Sequence, residues 1–218
     1  MKLLESIDWQ NLYESVCRTN LTLPGFYFLD FGTQVTSREF RSCMSDLWKR
    51  LNQQHQLKRP TQQLSLTTLD RFDQQNSTKP HRDSGPTESL LVLGYEPSKV
   101  ASEITLYDYS RCARDMKQSP SKWLEDHNPM FGDLGQLSDY AIRLDQFSSD
   151  RYQLLIINNS VGDLQGHPLQ WQGLLHSATI ASPNPKKKRV INSAQLAPIH
   201  SEATPAVSEE QRIDFLSA

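Results

Sequence analysis

After Pro60 the chain breaks into short β-prone runs separated by turn residues, and this pattern constrains the fold more than any other feature. The runs are QLSLTTLDRF (63–72), SLLVLGY (89–95), EITLYDY (103–109), YAIRLDQF (140–147), YQLLIINNS (152–160), GLLHSATIA (173–181) and RVINSAQLA (189–197). Turn signals stand between several of them: Gly85-Pro86, Glu96-Pro97, Gly162-Asp163, Gly166-His167-Pro168 and Pro183-Asn184-Pro185. Many short strands with Gly and Pro between them predict a sandwich, barrel or jelly roll rather than an α/β sheet. A polar stretch, 110–139, interrupts the series and predicts an insertion with a short helix or two. Long excursions of this kind often serve as lids or binding loops.

The first 59 residues have a different texture. Leu3, Leu4, Ile7, Leu12 and Val16 recur at near-helical spacing over 3–20, and FYFLDF (26–31) reads as a short strand. Thr36 and Glu39 have the spacing of a capping box. Phe40, Met44, Leu47, Trp48 and Leu51 then share one face, which predicts a helix to about residue 56. The expected organisation is therefore N-terminal helices (1–59) packed on a β core (60–197, with the 110–139 insertion), then a polar tail (198–218), loose or docked as a turn of helix.

The 218 residues carry 23 Lys plus Arg against 25 Asp plus Glu, a net charge of −2. That balance excludes a protein that coats nucleic acid with a uniform positive field, so nucleic acid is not expected as a partner. No apolar run approaches the roughly 18 residues of a membrane span, so no membrane role is expected. Glu5 and Asp8 interrupt the apolar core that an export signal needs. Three widely spaced cysteines, Cys17, Cys43 and Cys112, form no CxxC and suggest neither a disulfide framework nor a cysteine zinc site. The expected setting is the reducing cytoplasm.

Two motif matches mislead. Asp30-Phe31-Gly32 and His81-Arg82-Asp83 spell two protein-kinase signatures in reversed order. The catalytic-loop Asn is replaced by Glu88, and the glycine-rich loop is missing. Pro185-Lys186-Lys187-Lys188-Arg189 has the look of a nuclear-import signal or phosphate patch, but on a net acidic chain it reads as a charged turn.

His81 and Asp83 carry more weight. In an extended segment, residues i and i+2 point to the same face, and Pro80 favours extension at Lys79. One imidazole and one carboxylate can therefore converge on a divalent metal, with Arg82 directed elsewhere. A third ligand must come from far along the chain. His55 lies at a polar helix end, His127 and His167 in turns, and His200 in the tail. Only His176 stands within an apolar strand run. A lone strand histidine is usually a core residue bonded to a carbonyl; the upstream His81-x-Asp83 favours the ligand reading. Two histidines and one carboxylate on one face of an iron leave adjacent coordination positions open for an oxidisable co-substrate and dioxygen.

His81-Arg82-Asp83, then His176, then Arg189, within an all-β pattern, resembles the Fe(II)/2-oxoglutarate-dependent oxygenases over about residues 60–197. The resemblance implies a mainly β fold with flanking helices and a double-stranded β-helix (jelly-roll) core. It implies iron held by His81, Asp83 and His176, with ascorbate as a reductant. The distal carboxylate of 2-oxoglutarate would be held by Arg189, with Ser193 adding a hydroxyl and Lys187 as the alternative cation. The implied reaction couples oxidative decarboxylation of 2-oxoglutarate to hydroxylation of a small molecule or protein side chain. Arg71 and Arg82 are open to a role in substrate contact or as ordinary surface charge. Two other readings stand beside it: a cupin-like metal enzyme without 2-oxoglutarate, in which Arg189 has no role, and a non-catalytic jelly-roll scaffold, in which the three ligands need not meet.

Overall fold

Residues 2–161 and 170–218 are described by a computed structural model; the turns Gly162-Asp163 and Gly166-His167-Pro168 lie outside the described residues. Two short helices, α1 (Lys2–Glu5) and α2 (Trp9–Val16), precede strand β1 (Phe26–Gly32). The expected single helical stretch over 3–20 is broken because the Asp8 carboxylate accepts the Asn11 backbone N–H at 3.0 Å and starts a new helix. The long helix α3 (Ser37–Lys58) follows, with the Thr36–Glu39 capping box formed as the sequence predicts.

The strands are β2 (Gln62–Asp73), β3 (Leu90–Tyr95), β4 (Ser102–Tyr107), β5 (Ala141–Arg143), β6 (Tyr152–Asn158), β7 (Leu175–Ile180) and β8 (Val190–His200). Helices α4 (Tyr109–Asp115) and α5 (Pro120–His127) and a 3-10 turn (Gly135–Tyr140) make up the insertion. The chain ends in α6 (Glu209–Ser217), so the tail is helical and docked rather than loose. The run 140–147 contributes only a three-residue strand, because Leu144 and Phe147 close a turn through the Phe147 N–H to Leu144 carbonyl bond. Helix and strand claim comparable shares, so the chain is mixed α/β rather than mainly β. The reason is the length of α3 and the helices of the insertion set against short strands.

Every strand pairs antiparallel. One sheet has the order β1-β6-β3-β8-β2 and the other β5-β4-β7. Strict alternation sends each strand's side chains to two faces. On the five-stranded sheet Leu29, Leu64, Leu66, Val92, Leu154, Ile156, Ala194 and Leu196 meet Leu12, Phe40, Met44, Leu47, Leu51 and Phe215 of the helices. The opposite face sends Leu91, Leu93, Tyr95, Leu155, Ile157 and Ile191 against Ile104, Leu106 and Leu174 on the three-stranded side. A smaller cluster around Tyr109, Trp123 and Leu137 anchors the insertion.

One irregularity re-aims the side chains of β2. The β2–β8 register shifts between Leu66 and Thr68. Before this bulge Leu64 and Leu66 face the helices; after it Leu69 does, while Thr68, Asp70 and Phe72 turn to the inner face.

Among the described residues, no helix is long and apolar enough to cross a membrane.

Candidate metal centre

β7 presents His176 on the edge of the three-stranded sheet, and the segment before His81 is pinned along that edge. The Thr78 N–H donates to the Ala178 carbonyl at 2.9 Å, and the His81 and His176 main chains exchange two hydrogen bonds of 3.0 and 2.9 Å. This isolated bridge makes 81 and 176 direct neighbours across the strands. Extended backbone then puts Asp83 on the same side as His81.

The result is a convergent triad. The imidazole rings of His81 and His176 lie 4.3 Å apart between centroids. Nε2 of His81 is 3.4 Å, and Nε2 of His176 3.8 Å, from the same Asp83 oxygen. Ligands at right angles around an ion at about 2.1 Å lie about 3 Å apart, so the set needs only a small contraction to close. These three form the one group of metal-ligating side chains, among the described residues, that could hold an ion.

Protonation is set by the surroundings. His81 Nδ1 contacts the Lys79 carbonyl at 2.8 Å. A carbonyl only accepts, so Nδ1 carries a proton; in the neutral ring Nε2 then has its lone pair free for a metal, and in the protonated ring Nε2–H faces Asp83. Burial opposes charge on His81, but Asp83 and the Lys79 carbonyl outweigh it and its pKa lies above the ordinary value. Burial and then the His81 charge push His176 down to about 4, so its ring is neutral and fit to ligate. Burial raises the Asp83 carboxyl, but the His81 hydrogen bond and the His176 charge outweigh it and hold it below the usual range. His176 Nδ1 is buried without a partner among the described residues.

Three residues brace the ligand loop. Asn159 clamps Asp83 at both ends: its Oδ1 accepts the Asp83 N–H at 3.0 Å and its Nδ2 donates to the Asp83 carbonyl at 3.0 Å. Arg82 donates to the carbonyls of Asn159 (3.1 Å), Gly85 (3.3 Å) and Pro86 (3.1 Å). Its guanidinium thus staples the loop. Gln195 of β8 donates to the Ser84 carbonyl at 3.1 Å and ties the loop to the floor of the large sheet.

Arg189 opens β8 and is only 3% exposed. Its Nε donates to Ser102 Oγ at 3.0 Å, its Nη1 donates to the Gln74 carbonyl at 3.0 Å, and its charge lies 5.4 Å over the Tyr95 ring. Nη2 is buried and has no partner among the described residues. Among the described residues no carboxylate side chain pairs with this guanidinium; burial pushes its pKa down, and Tyr95 and Asp73 only partly offset that. Lys187 is exposed and points its carbonyl, not its ammonium, into a contact with Gln75 (2.7 Å), so it is not the buried cation. Ser193 shares the face of Arg189 and Ile191 and is 7% exposed. Arg71 lies on the opposite face, paired with Glu96 at 3.2 Å beneath α3. Among the other histidines, His55 is buried against Tyr13, His127 stacks on Trp123, and His200 is exposed; His167 lies outside the described residues.

Sequence reasoning passed over Asn159, Gln195 and Tyr95. Consecutive Asn158-Asn159 closing an apolar strand run was a usable signal, since a buried amide must find partners. No protein-family model matches the chain, and no curated protein matches it.

Proposed function

We propose that the chain is an Fe(II)/2-oxoglutarate-dependent oxygenase, a hydroxylase built on a double-stranded β-helix. The observation that carries this reading is the meeting of His81, Asp83 and His176 at one point, on a bridge between segments far apart in sequence. The strand order supports the fold reading. β2-β8-β3-β6 makes one sheet, and the His81 segment, β7, β4 and β5 follow one another in the other, the alternation that a jelly roll produces.

The donor set fits both groups. Two imidazoles and a carboxylate suit Fe(II) and leave positions open. The orphaned Nη2 of Arg189 suits an anion: a buried guanidinium without a carboxylate is costly until one arrives, and a fork of N–H donors matches a carboxylate. The Tyr95 hydroxyl, on the same inner face and without a protein partner among the described residues, is a second donor there. Bound iron and 2-oxoglutarate would activate dioxygen, the oxidant for C–H hydroxylation. The chain's own residues do the rest. Asn159, Arg82 and Gln195 hold the ligand loop rigid, the Lys79 carbonyl fixes the His81 tautomer, and Arg189 orients the co-substrate by its far carboxylate.

The test is Fe(II) binding and succinate formation with purified protein and ascorbate. Asp83→Ala should lose iron binding and turnover while its circular dichroism stays unchanged. Arg189→Ala should raise the 2-oxoglutarate concentration for half-maximal turnover by about a hundredfold, as expected when a buried carboxylate loses its cation. Wild-type succinate formation in Asp83→Ala would sink the ligand assignment. An unchanged 2-oxoglutarate titration in Arg189→Ala would take the anchoring role away from Arg189, and wild-type oxidation that forms no succinate would point instead to a metal enzyme without this co-substrate.

A further inference from the structure

The inner face of the five-stranded sheet changes character between β3 and β8. The register lines up Phe28, Leu155, Leu93, Ser193 and Asp70 in one row across β1, β6, β3, β8 and β2. The neighbouring row runs Phe26, Ile157, Leu91, Gln195 and Thr68. The left half is apolar and covered by the small sheet. The right half is polar and open: Thr68 and Asp70 are exposed, and Phe72 is 39% exposed, although all three face inward. The Ser84 carbonyl, one residue past Asp83, is bonded to Gln195 in this same half. The open floor therefore lies directly beside the loop that carries the metal ligand.

Two polar groups on that floor lack partners. Ser193 is 7% exposed, yet its hydroxyl makes no hydrogen bond among the described residues. Its Cα partner across the strands is Asp70, whose carboxylate pairs with no cation among the described residues. The nearby cations are committed elsewhere. Arg82 is spent on three carbonyls, Arg71 faces the helices, and Lys79 sits 3.5 and 3.4 Å from the carbonyls of Met130 and Gly132. The bulge at Thr67 is what turns Asp70 inward; unbroken alternation from Leu64 and Leu66 would have sent it toward α3. Bulges beside sites commonly re-aim a side chain in this way.

We propose that Asp70 and Ser193 form the substrate-recognition subsite, and that the substrate presents a cation, an amine or guanidine, to Asp70. Ser193 Oγ accepts a hydrogen bond from the same group, and the exposed Phe72 ring packs against its aliphatic stem. The inference rests on the oxygenase reading for its chemistry, but its recognition element stands on the floor alone.

The experiment is calorimetric binding to the full chain, kept anaerobic with Fe(II) and 2-oxoglutarate. The probes are N-acetyl-lysine methylamide, N-acetyl-arginine methylamide and, as the opposite charge, N-acetyl-glutamate methylamide. An eight-residue peptide with one lysine forms a further arm. Wild type should bind the cationic probes and not the glutamate one. Asp70→Asn should weaken cation binding by about tenfold or more, and Ser193→Ala by about threefold to tenfold. Asp70→Lys should abolish cation binding and admit the glutamate probe. Tighter binding of the peptide marks a protein substrate, and equal binding marks a small amine; both support the subsite. Equal affinity in wild type and Asp70→Asn, or preference for glutamate, overturns it. Succinate formation measured in parallel separates the two ideas. Iron-dependent turnover without any Asp70 dependence of binding removes this inference alone. Asp70-dependent binding without turnover removes the oxygenase reading alone.

Discussion

His55 is a buried base with one hydrogen bond. Its Nδ1 meets the Tyr13 hydroxyl at 2.9 Å, its Nε2 has no partner among the described residues, and its ring packs edge-on to Trp171 at 5.8 Å. Burial, and then the Arg59 charge, lower its pKa to about 4. The unfolded chain binds this proton near pH 6.5, and the folded chain refuses it until about pH 4. Stability from the neutral ring is therefore complete above about pH 6.5 and drains away as pH falls toward 4, by at most about 3 kcal/mol. His55→Gln should flatten that slope. Urea midpoints at pH 7 and pH 4.5 check it, and equal acid losses in wild type and variant would contradict it. At this scale the sequence was informative where spacing alone decides geometry. His81 and Asp83, at i and i+2, were legible. Asn159 and Asp70 were not, because what they touch depends on strands brought from elsewhere.

Among the elements, α3 was the easiest to read. Thr36 Oγ1 accepts the Glu39 N–H at 3.2 Å, and the Glu39 carboxylate accepts the Thr36 N–H at 2.8 Å. Thr36→Ala should cost about 1 kcal/mol, read as a lower urea midpoint with an unchanged slope. A loss below a few tenths would mean that packing of Phe40, Met44 and Leu47 alone sets where the helix starts. The bulge in β2 leaves one trace in QLSLTTLDRF that the reading of the run did not use: Leu64 and Leu66 stand two apart, but Leu69 follows after three. One extra residue at Thr67 moved Thr68, Asp70 and Phe72 from the helix side to the site side. Nothing in composition announces such a shift; the fit of Leu66 against Leu196 and Thr68 against Gln195 imposes it.

Over the whole molecule, one buried pair ties distant parts together. Arg18, after α2, donates to both oxygens of Asp108 at 2.9 and 2.6 Å and to the carbonyls of Leu23 and Gln172, each at 2.8 Å. Asp108 also starts α4 by accepting the Arg111 N–H at 3.1 Å. Gly25, at φ +79°, leaves room for the guanidinium; a Cβ there would stand 2.7 Å from Arg18 Nε. Asp108→Asn strips the charge from one side and should cost about 3–5 kcal/mol. Thermal unfolding checks this, and a shift of a degree or two would mean the pair is idle. Partners ninety positions apart leave no local trace, so this tie could not be read ahead of the fold. The bridge between His81 and His176 has a consequence of the same long reach. An ion gripping both ends fastens a very long loop shut, and the free energy of that grip belongs to folding as much as to chemistry. On the proposed reading, scarcity of the metal would thus do more than stop turnover: it would shorten the working life of each copy by letting proteases reach it sooner.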